Sequence, residues 1–150
     1  MINNVKTRAS IVMDYLYSDE ISVLDSCPPV HAAPQDLTAW RWTFNPYTVN
    51  CLSPVAKIEP KRLLSKTDGV KCSCWALSMF ESQASAVKRM QELACTIPNF
   101  KATKGDHVST VTISKADGVV TPPDSRGHFD FHPCKDFDML LNSKVVGSIP

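Results

Sequence analysis

The sequence predicts a single α+β domain, in which a mostly antiparallel, curved sheet packs against one principal helix over residues 83–96. A strong helical periodicity occurs at that segment, whereas strand patterns recur through the second half of the chain. Strands and helices do not alternate regularly and no internal repeat is present, which argues against a parallel βαβ fold. A chain of 150 residues fits one domain.

The first half of the chain combines one aromatic strand with irregular segments. Apolar spacing over residues 5–17 predicts a short N-terminal helix, and the proline-rich stretch 27–36 predicts a loop. The segment AWRWTF, 39–44, alternates aromatic and polar residues as a half-buried strand does. Residues 52–69 are expected to be a loop. The apolar run VKCSCWALSMF, 70–80, predicts a long buried strand.

The second half opens with the clearest helix. Ser82 can cap it, and the stripe of Val87, Met90 and Leu93 is expected to be buried. The strands that follow are predicted from β-branched content or from alternation. They are HVSTVTIS at 107–114, VVT at 119–121 and HFDFH at 128–132, with a last edge strand near the C-terminus.

Composition narrows the class of protein and of partner. A hydrophobic fraction of 43% and a charged fraction of 21% are typical of soluble globular proteins. The net charge of +1 gives no overall attraction for nucleic acid or anionic membrane. No signal peptide and no membrane-spanning segment are recognisable. We expect a cytoplasmic protein with a small-molecule or protein partner, and we leave homodimer formation open.

The six cysteines, at positions 27, 51, 72, 74, 95 and 134, are predicted to be structural free thiols in that reducing compartment. On a strand, Cys72 and Cys74 would point to the same buried face. A zinc site would need two further ligands, and the usual paired Cys-x2-Cys units are absent. Zinc binding and redox or disulfide roles are the alternatives.

The segment GHFDFHPC, 127–134, carries the main candidate for chemistry. On a strand, His128, Asp130 and His132 lie on one face, and the two phenylalanines between them lie on the other. The simplest interpretation puts the phenylalanines in the core and the polar trio in solvent. If that face is enclosed instead, the trio supplies candidate catalytic residues.

Two kinds of chemistry would suit an enclosed trio. His128 and His132 lie about 13 Å apart on a strand, so one metal ion cannot contact both. A divalent metal would need two neighbours of the trio and a third ligand from His107 or Asp106. Without a metal, Asp130 could orient an imidazole that acts as general base. We predict no resident cofactor, with a divalent metal as the alternative.

The aromatic strand offers a separate candidate site. Trp40, Arg41 and Trp42 belong to residue types enriched at binding hot spots, and exposed indoles could stack on a ligand. The competing interpretation is that the indoles fill the core, as large aromatic side chains usually do. His107 completes the candidate binding residues.

The order of motifs along residues 27–133 carries a resemblance. A CPP loop, an aromatic strand, CWALS followed by a helix, then GDH and GHFDFHP occur in that order. This order is similar to small uncharacterised α+β proteins, including those encoded in bacterial mobile gene cassettes of the integron type. The resemblance implies no activity, and no functional residue is carried over from it.

Two functional hypotheses follow. The favoured one is a small module that binds a small molecule or a protein in a cleft between the sheet and loops 27–38 and 52–69. It is favoured because no complete catalytic set can be written from the sequence. The alternative is a small hydrolase or nuclease, with or without a metal, on the polar face of strand 128–132. Whether the protein is an enzyme stays open.

Overall fold

One antiparallel sheet organises the molecule, and the fold is α+β as predicted. The computed structural model describes residues 13–150. The six strands pair in the order β4-β5-β2-β1-β3-β6. They are β1 (Leu37–Thr43), β2 (Leu77–Phe80), β3 (His107–Ile113), β4 (Gly118–Val120), β5 (His128–Pro133) and β6 (Ser143–Ser148).

Five helices accompany the sheet in this part of the chain. They are α1 (Ser18–Ile21), α2 (Val55–Ile58), α3 (Asp68–Trp75), α4 (Gln83–Ala94) and α5 (Phe100–Lys104), with 3₁₀ turns at Val49–Leu52 and Pro60–Leu63. None of these helices has the length and apolar character needed to cross a membrane.

The N-terminal helix predicted over residues 5–17 is only partly testable. Residues 5–12 lie outside the described part of the chain. Residues 13–17 contain no helix, because Tyr15 instead forms an isolated antiparallel bridge with Cys134.

The principal helix α4 is confirmed. The Ser82 hydroxyl accepts a hydrogen bond from the backbone N–H of Ser85, which caps its first turn. Met90 is fully buried, whereas Val87 and Leu93 are half-buried. The expectation that Leu93 lies in the core is therefore wrong, because the end of α4 borders a cleft instead of the sheet.

The long strand predicted over residues 70–80 is also wrong. Asp68–Trp75 forms helix α3, and only Leu77–Phe80 is a strand. The Thr67 hydroxyl accepts from the N–H of Val70, and the negative charge of Asp68 lies in the first turn. Both features stabilise a helix start. The high density of apolar residues led to the strand prediction, whereas the capping residues indicate a helix. Apolar density alone does not distinguish a short buried strand from a helix.

Both faces of the sheet are covered. On one face, Phe129 and Phe131 of β5 pack with Leu77 and Met79 of β2, as the predicted phase of strand 128–132 requires. On the other face, Phe80 and Val108 pack against Ala86 and Met90 of α4. The predicted open, solvated face is therefore absent from β5.

The two sides of α4 give a test of this packing. Met90→Ala should lower the free energy of unfolding by about 2–5 kcal/mol, since a fully buried side chain leaves a cavity. Leu93→Ala should cost clearly less, because Leu93 is half-buried at the cleft. Urea unfolding of both variants measures the difference, and equal losses would contradict this arrangement of α4.

Candidate functional site

A cleft of about 480 Å³ opens on the helix-covered face of the sheet. Its floor is formed by β2 and β5, and its walls are the 49–62 segment, α3, α4 and α5. The floor residues are Ser78, Phe80, His128 and Asp130. The cleft exists because α3 covers one end of this face and α4 with α5 cover the other.

Arg41 closes a gap in the sheet beside this cleft. Between β1 and β2 the ladder pairs only Trp40 with Phe80. Beyond that point the guanidinium of Arg41 donates to the carbonyl of Ser78 at 2.8 Å and to those of Cys51 and Ser53 at 3.1 Å. Removal from water lowers the pKa of Arg41 to about 10, so the group stays positively charged at neutral pH.

The remaining charges of the cleft are largely paired with one another. Glu59 contacts Arg62 at 3.1 Å and Lys104 at 3.5 Å, and Arg89 contacts Glu92 at 3.6 Å. Arg41 forms no salt bridge with any of residues 13–150. Arg41 is therefore the cation lining the cleft whose charge no carboxylate of the described residues neutralises.

Ser78 and His128 form the closest polar pair in the cleft. The Ser78 hydroxyl lies 2.6 Å from Nε2 of His128, because β2 and β5 place Ser78 opposite Asp130 and Phe80 opposite His128. Nδ1 of His128 faces the Asp124 carboxylate at 3.9 Å. The ring packs edge-on against Phe80 with centroids 5.5 Å apart. These neighbours on three sides fix the orientation of the imidazole.

Asp124 is held by the turn that precedes β5. One carboxylate oxygen accepts the backbone N–H groups of Arg126 and His128 at 2.8 and 3.1 Å. Burial raises the pKa of Asp124, but these two N–H bonds and the charges of His128 and Arg126 together outweigh burial and lower the pKa. Gly127 closes the turn at φ +77, where a Cβ would meet Ser85 at 2.6 Å.

Asp130 differs from Asp124 although both lie close to His128. Its carboxylate is 16% exposed and lies 4.0 Å from Nε2 of His128, the same nitrogen that Ser78 contacts. Burial raises the pKa of Asp130, and the Ser73 hydroxyl and His128 only partly oppose this. Because its carboxylate lies next to Nε2, Asp130 cannot fix the tautomer of His128 by accepting a hydrogen bond from Nδ1.

His132 belongs to the interior and not to the cleft. It is 2% exposed, beneath α3, and its Nε2 lies 3.8 Å from the sulfur of Cys72. Burial lowers the pKa of His132 to about 4, so it is neutral at physiological pH. The prediction that the whole trio faces solvent is wrong, because α3 and the loop before β1 cover this end of β5.

The thiol prediction fails at two cysteines. Cys27 and Cys72 form a disulfide that joins the loop before β1 to α3, while the other four cysteines are free. A crosslink spanning 45 residues stabilises a fold by about 4 kcal/mol in the chain-entropy model. The sequence interpretation assumed a reducing compartment and placed Cys72 on a strand, and neither assumption predicts this contact.

One group of side chains has the spacing of a metal site. Among residues 13–150, ligand atoms of Cys27, Cys72 and His132 all lie within 4.8 Å of one another. The disulfide leaves no thiolate on either sulfur, so metal binding would require prior reduction. His107 supplies no ligand to β5, because β1 and β2 lie between β3 and β5.

The remaining candidates divide between core and cleft. Trp42 lines the cleft, donates from its indole to the carbonyl of Ala86 at 2.8 Å and contacts Phe100 edge-on. Trp40 is half-buried against the core cluster that contains Phe80 and Met90, and it does not line the cleft. His107 contacts Asp106 at 2.8 Å.

Ser78 and Asp124 were not predicted as site residues from the sequence, although the Asp-Ser-Arg-Gly turn just before His128 gave a usable signal for Asp124.

Comparison with protein-family models, with curated proteins and with solved structures finds no match to this chain. The site must therefore be interpreted from its own geometry.

The disulfide predicts a specific count of reactive thiols. In denaturant without reductant, four cysteines per chain should be alkylated, since only Cys27 and Cys72 are bonded and residues 1–12 contain no cysteine. Reduction should raise the count to all six. Intact-protein mass spectrometry reads both values, and six reactive thiols without reductant would contradict the disulfide.

His132 predicts a pH dependence of stability. Its pKa of about 4 in the folded protein lies below the ordinary value of 6.5. His132 therefore leaves the free energy of unfolding undiminished above pH 6.5. As the pH falls towards 4, that free energy decreases, because only the unfolded state takes up a proton at His132. Between pH 7 and pH 5 the wild type should lose about 2 kcal/mol more than His132→Gln.

Urea unfolding at both pH values measures this difference. The raised pKa of Asp130 acts in the opposite direction, but it is present in both proteins and cancels in the comparison. Equal losses in the two proteins would mean that His132 titrates normally.

Proposed function

We propose that the protein is a binding module for a small organic anion, whose carboxylate or phosphate group lies beside Arg41 in the cleft. The unpaired positive charge of Arg41 is the observation that carries this proposal. The apolar body of the ligand would lie along the aromatic wall that Trp42, Phe80 and Phe100 provide.

The half-buried charge of Arg41 has three carbonyl acceptors but no counterion in this setting. Charges withdrawn from water are normally paired, because desolvation of a lone ion is costly. No carboxylate of residues 13–150 pairs with Arg41, and residues 1–12 contain no aspartate or glutamate. Three of the five guanidinium N–H groups reach carbonyls, which leaves two for a ligand.

The shape of the cleft favours a small molecule over a protein partner. Its volume of about 480 Å³ falls within the range of small-molecule sites, which are concave and mostly apolar with a few polar groups. One wall of the cleft is the 52–62 segment, which belongs to the 52–69 stretch expected to border a binding cleft, and this supports the proposal. A second depression, of about 550 Å³, lies on the other side of His128 and Asp130 and includes His31 of the 27–38 loop.

Location and other partners remain predictions from composition. The near-neutral charge still argues against nucleic acid and membrane. The Cys27–Cys72 disulfide is more typical of an oxidising compartment than of the cytoplasm and weighs against the predicted location. Homodimer formation and the resemblance to mobile-cassette proteins add no support to the proposal.

A pair of matched probes tests the binding of an anion. 2-Naphthoate and 2-naphthol present the same apolar ring system, and only the first carries a charge at neutral pH. Titration followed by Trp fluorescence and by thermal unfolding should show binding of 2-naphthoate and at least tenfold weaker binding of 2-naphthol. Arg41→Gln should weaken naphthoate binding by about 10–100-fold, the value of one charge-assisted hydrogen bond.

Because Arg41 also bridges β1, β2 and the 49–53 segment, the thermal unfolding midpoint of Arg41→Gln separates lost binding from lost folding, and two further variants serve as controls for charge and position. Arg62→Gln removes a cation of the cleft that is 56% exposed, and it should weaken naphthoate binding by no more than about fivefold without unfolding the protein. Arg126→Gln lies outside the cleft and should leave affinity unchanged. Equal affinity for the two probes, or no binding of either, would overturn the proposal.

A further inference from the structure

We propose that Ser78 is a nucleophile activated by His128, so that the anionic ligand of the cleft is an ester or other activated acyl compound that the protein hydrolyses. This inference rests on the proposed binding function and specifies the chemistry of the same site. It also develops the hydrolase alternative on strand 128–132, with a different set of residues.

The arrangement of Ser78 and His128 suits proton transfer. At 2.6 Å the hydroxyl can donate to Nε2 when the imidazole proton is on Nδ1, the nitrogen that faces Asp124. A nucleophile, a base within hydrogen-bond reach and a third group that orients the base define this type of site on unrelated folds. The pair lies at the floor of the cleft and His128 is 32% exposed, so a ligand can reach it.

Asp124 acts as a positioning residue. Its distance of 3.9 Å from Nδ1 is too long for a hydrogen bond, and such contacts in ligand-free sites often tighten when substrate binds. The same carboxylate already accepts the backbone N–H of His128, so it moves together with that residue. Its negative charge favours both the Nδ1–H tautomer and the imidazolium that forms during reaction.

Arg41 places positive charge where the reaction develops negative charge. Its guanidinium donates to the carbonyl of Ser78 at 2.8 Å, so it lies next to the nucleophile. Fixed charge beside a developing oxyanion is usually a large contribution to catalysis. In this proposal, one of the two N–H groups of Arg41 that hold no carbonyl donates to that oxygen once substrate is bound.

The reaction balances without a cofactor. The Ser78 oxygen bonds to the acyl carbon while its proton passes to Nε2 of His128, which gives a tetrahedral oxyanion. The bond to the leaving alcohol breaks as His128 returns that proton to the alcohol oxygen. Water, deprotonated by His128, then attacks the acyl-serine ester, which releases a carboxylic acid and restores the Ser78 hydroxyl.

A fluorophosphonate probe tests the nucleophile directly. The serine oxygen forms a bond to phosphorus, fluoride leaves, and the proton passes to the base. The native full-length protein should be labelled at Ser78, as located by peptide mass spectrometry. Ser78→Ala should abolish the label, and His128→Gln should slow it by about 10²–10⁴-fold, the usual contribution of a general base.

Control measurements separate activation from simple accessibility. Ser22→Ala, which replaces an exposed serine that directly follows α1, should label at the wild-type rate, and denatured wild type should not label. Circular dichroism should show the same unfolding midpoint for Ser78→Ala and the wild type. Absence of label on the native protein, or label spread over several serines, overturns the inference.

The role of Asp124 needs a measurement that a structural role would not change. Asp124→Asn should slow labelling and move the midpoint of the pH–rate profile to lower pH, since it removes a negative charge 3.9 Å from Nδ1 that favours the imidazolium. Asp130, Glu81 and Arg41 also charge the surroundings of His128, but they are the same in both proteins. A slower rate with an unmoved midpoint would leave Asp124 as a turn residue only.

The two proposals fail in different ways. If 2-naphthoate binds to wild type and Ser78→Ala with equal affinity while no serine is labelled, the hydrolytic inference is wrong and anion binding stands. If Ser78 is labelled but charged and neutral probes bind equally, the nucleophile stands and the anion preference is wrong.

Discussion

The guanidinium of Arg41 holds the sheet together at the point where its backbone pairing stops. β1 and β2 share one paired position, and three carbonyls from β2 and the 49–53 segment would otherwise lose their partner. A planar fork with several donors can bridge three segments, whereas an ammonium group could not reach all three in fixed directions. The bridge from β1 to the Ser78 backbone and to the 49–53 segment, and the unpaired positive charge beside the cleft, both come from this one side chain.

Hydrogen bonding and charge are satisfied to different extents in this molecule. Within the described residues, every buried side-chain nitrogen and oxygen has a hydrogen-bond partner. Each of the three guanidinium nitrogens of Arg41 therefore reaches a carbonyl, but the group has no counter-charge. A neutral carbonyl can stabilise a guanidinium through hydrogen bonds, but it does not neutralise the field that the charge produces in the cleft. That residual field is what distinguishes this cleft from an ordinary gap between helices.

Two histidines on one strand acquire opposite properties because different elements cover them. His132 lies under α3, which the Cys27–Cys72 disulfide ties to the preceding loop, and it is only 2% exposed. His128 lies four residues earlier, beyond the edge of α3, and faces the cleft with Ser78 and Asp124 as neighbours. Burial makes the first a neutral core residue, whereas the second stays partly exposed to the cleft.

Sequence alone determined the features that depend on local periodicity and capping. The phase of β5 with Phe129 and Phe131 in the core, the aromatic strand β1 and the Ser82-capped helix α4 were all predictable, since each pattern spans a few neighbouring residues. Tertiary structure alone decided that Cys27 meets Cys72, that Ser78 meets His128 and that α3 hides His132. These contacts join residues 45 to 60 positions apart, and no periodicity of a single segment encodes such pairings.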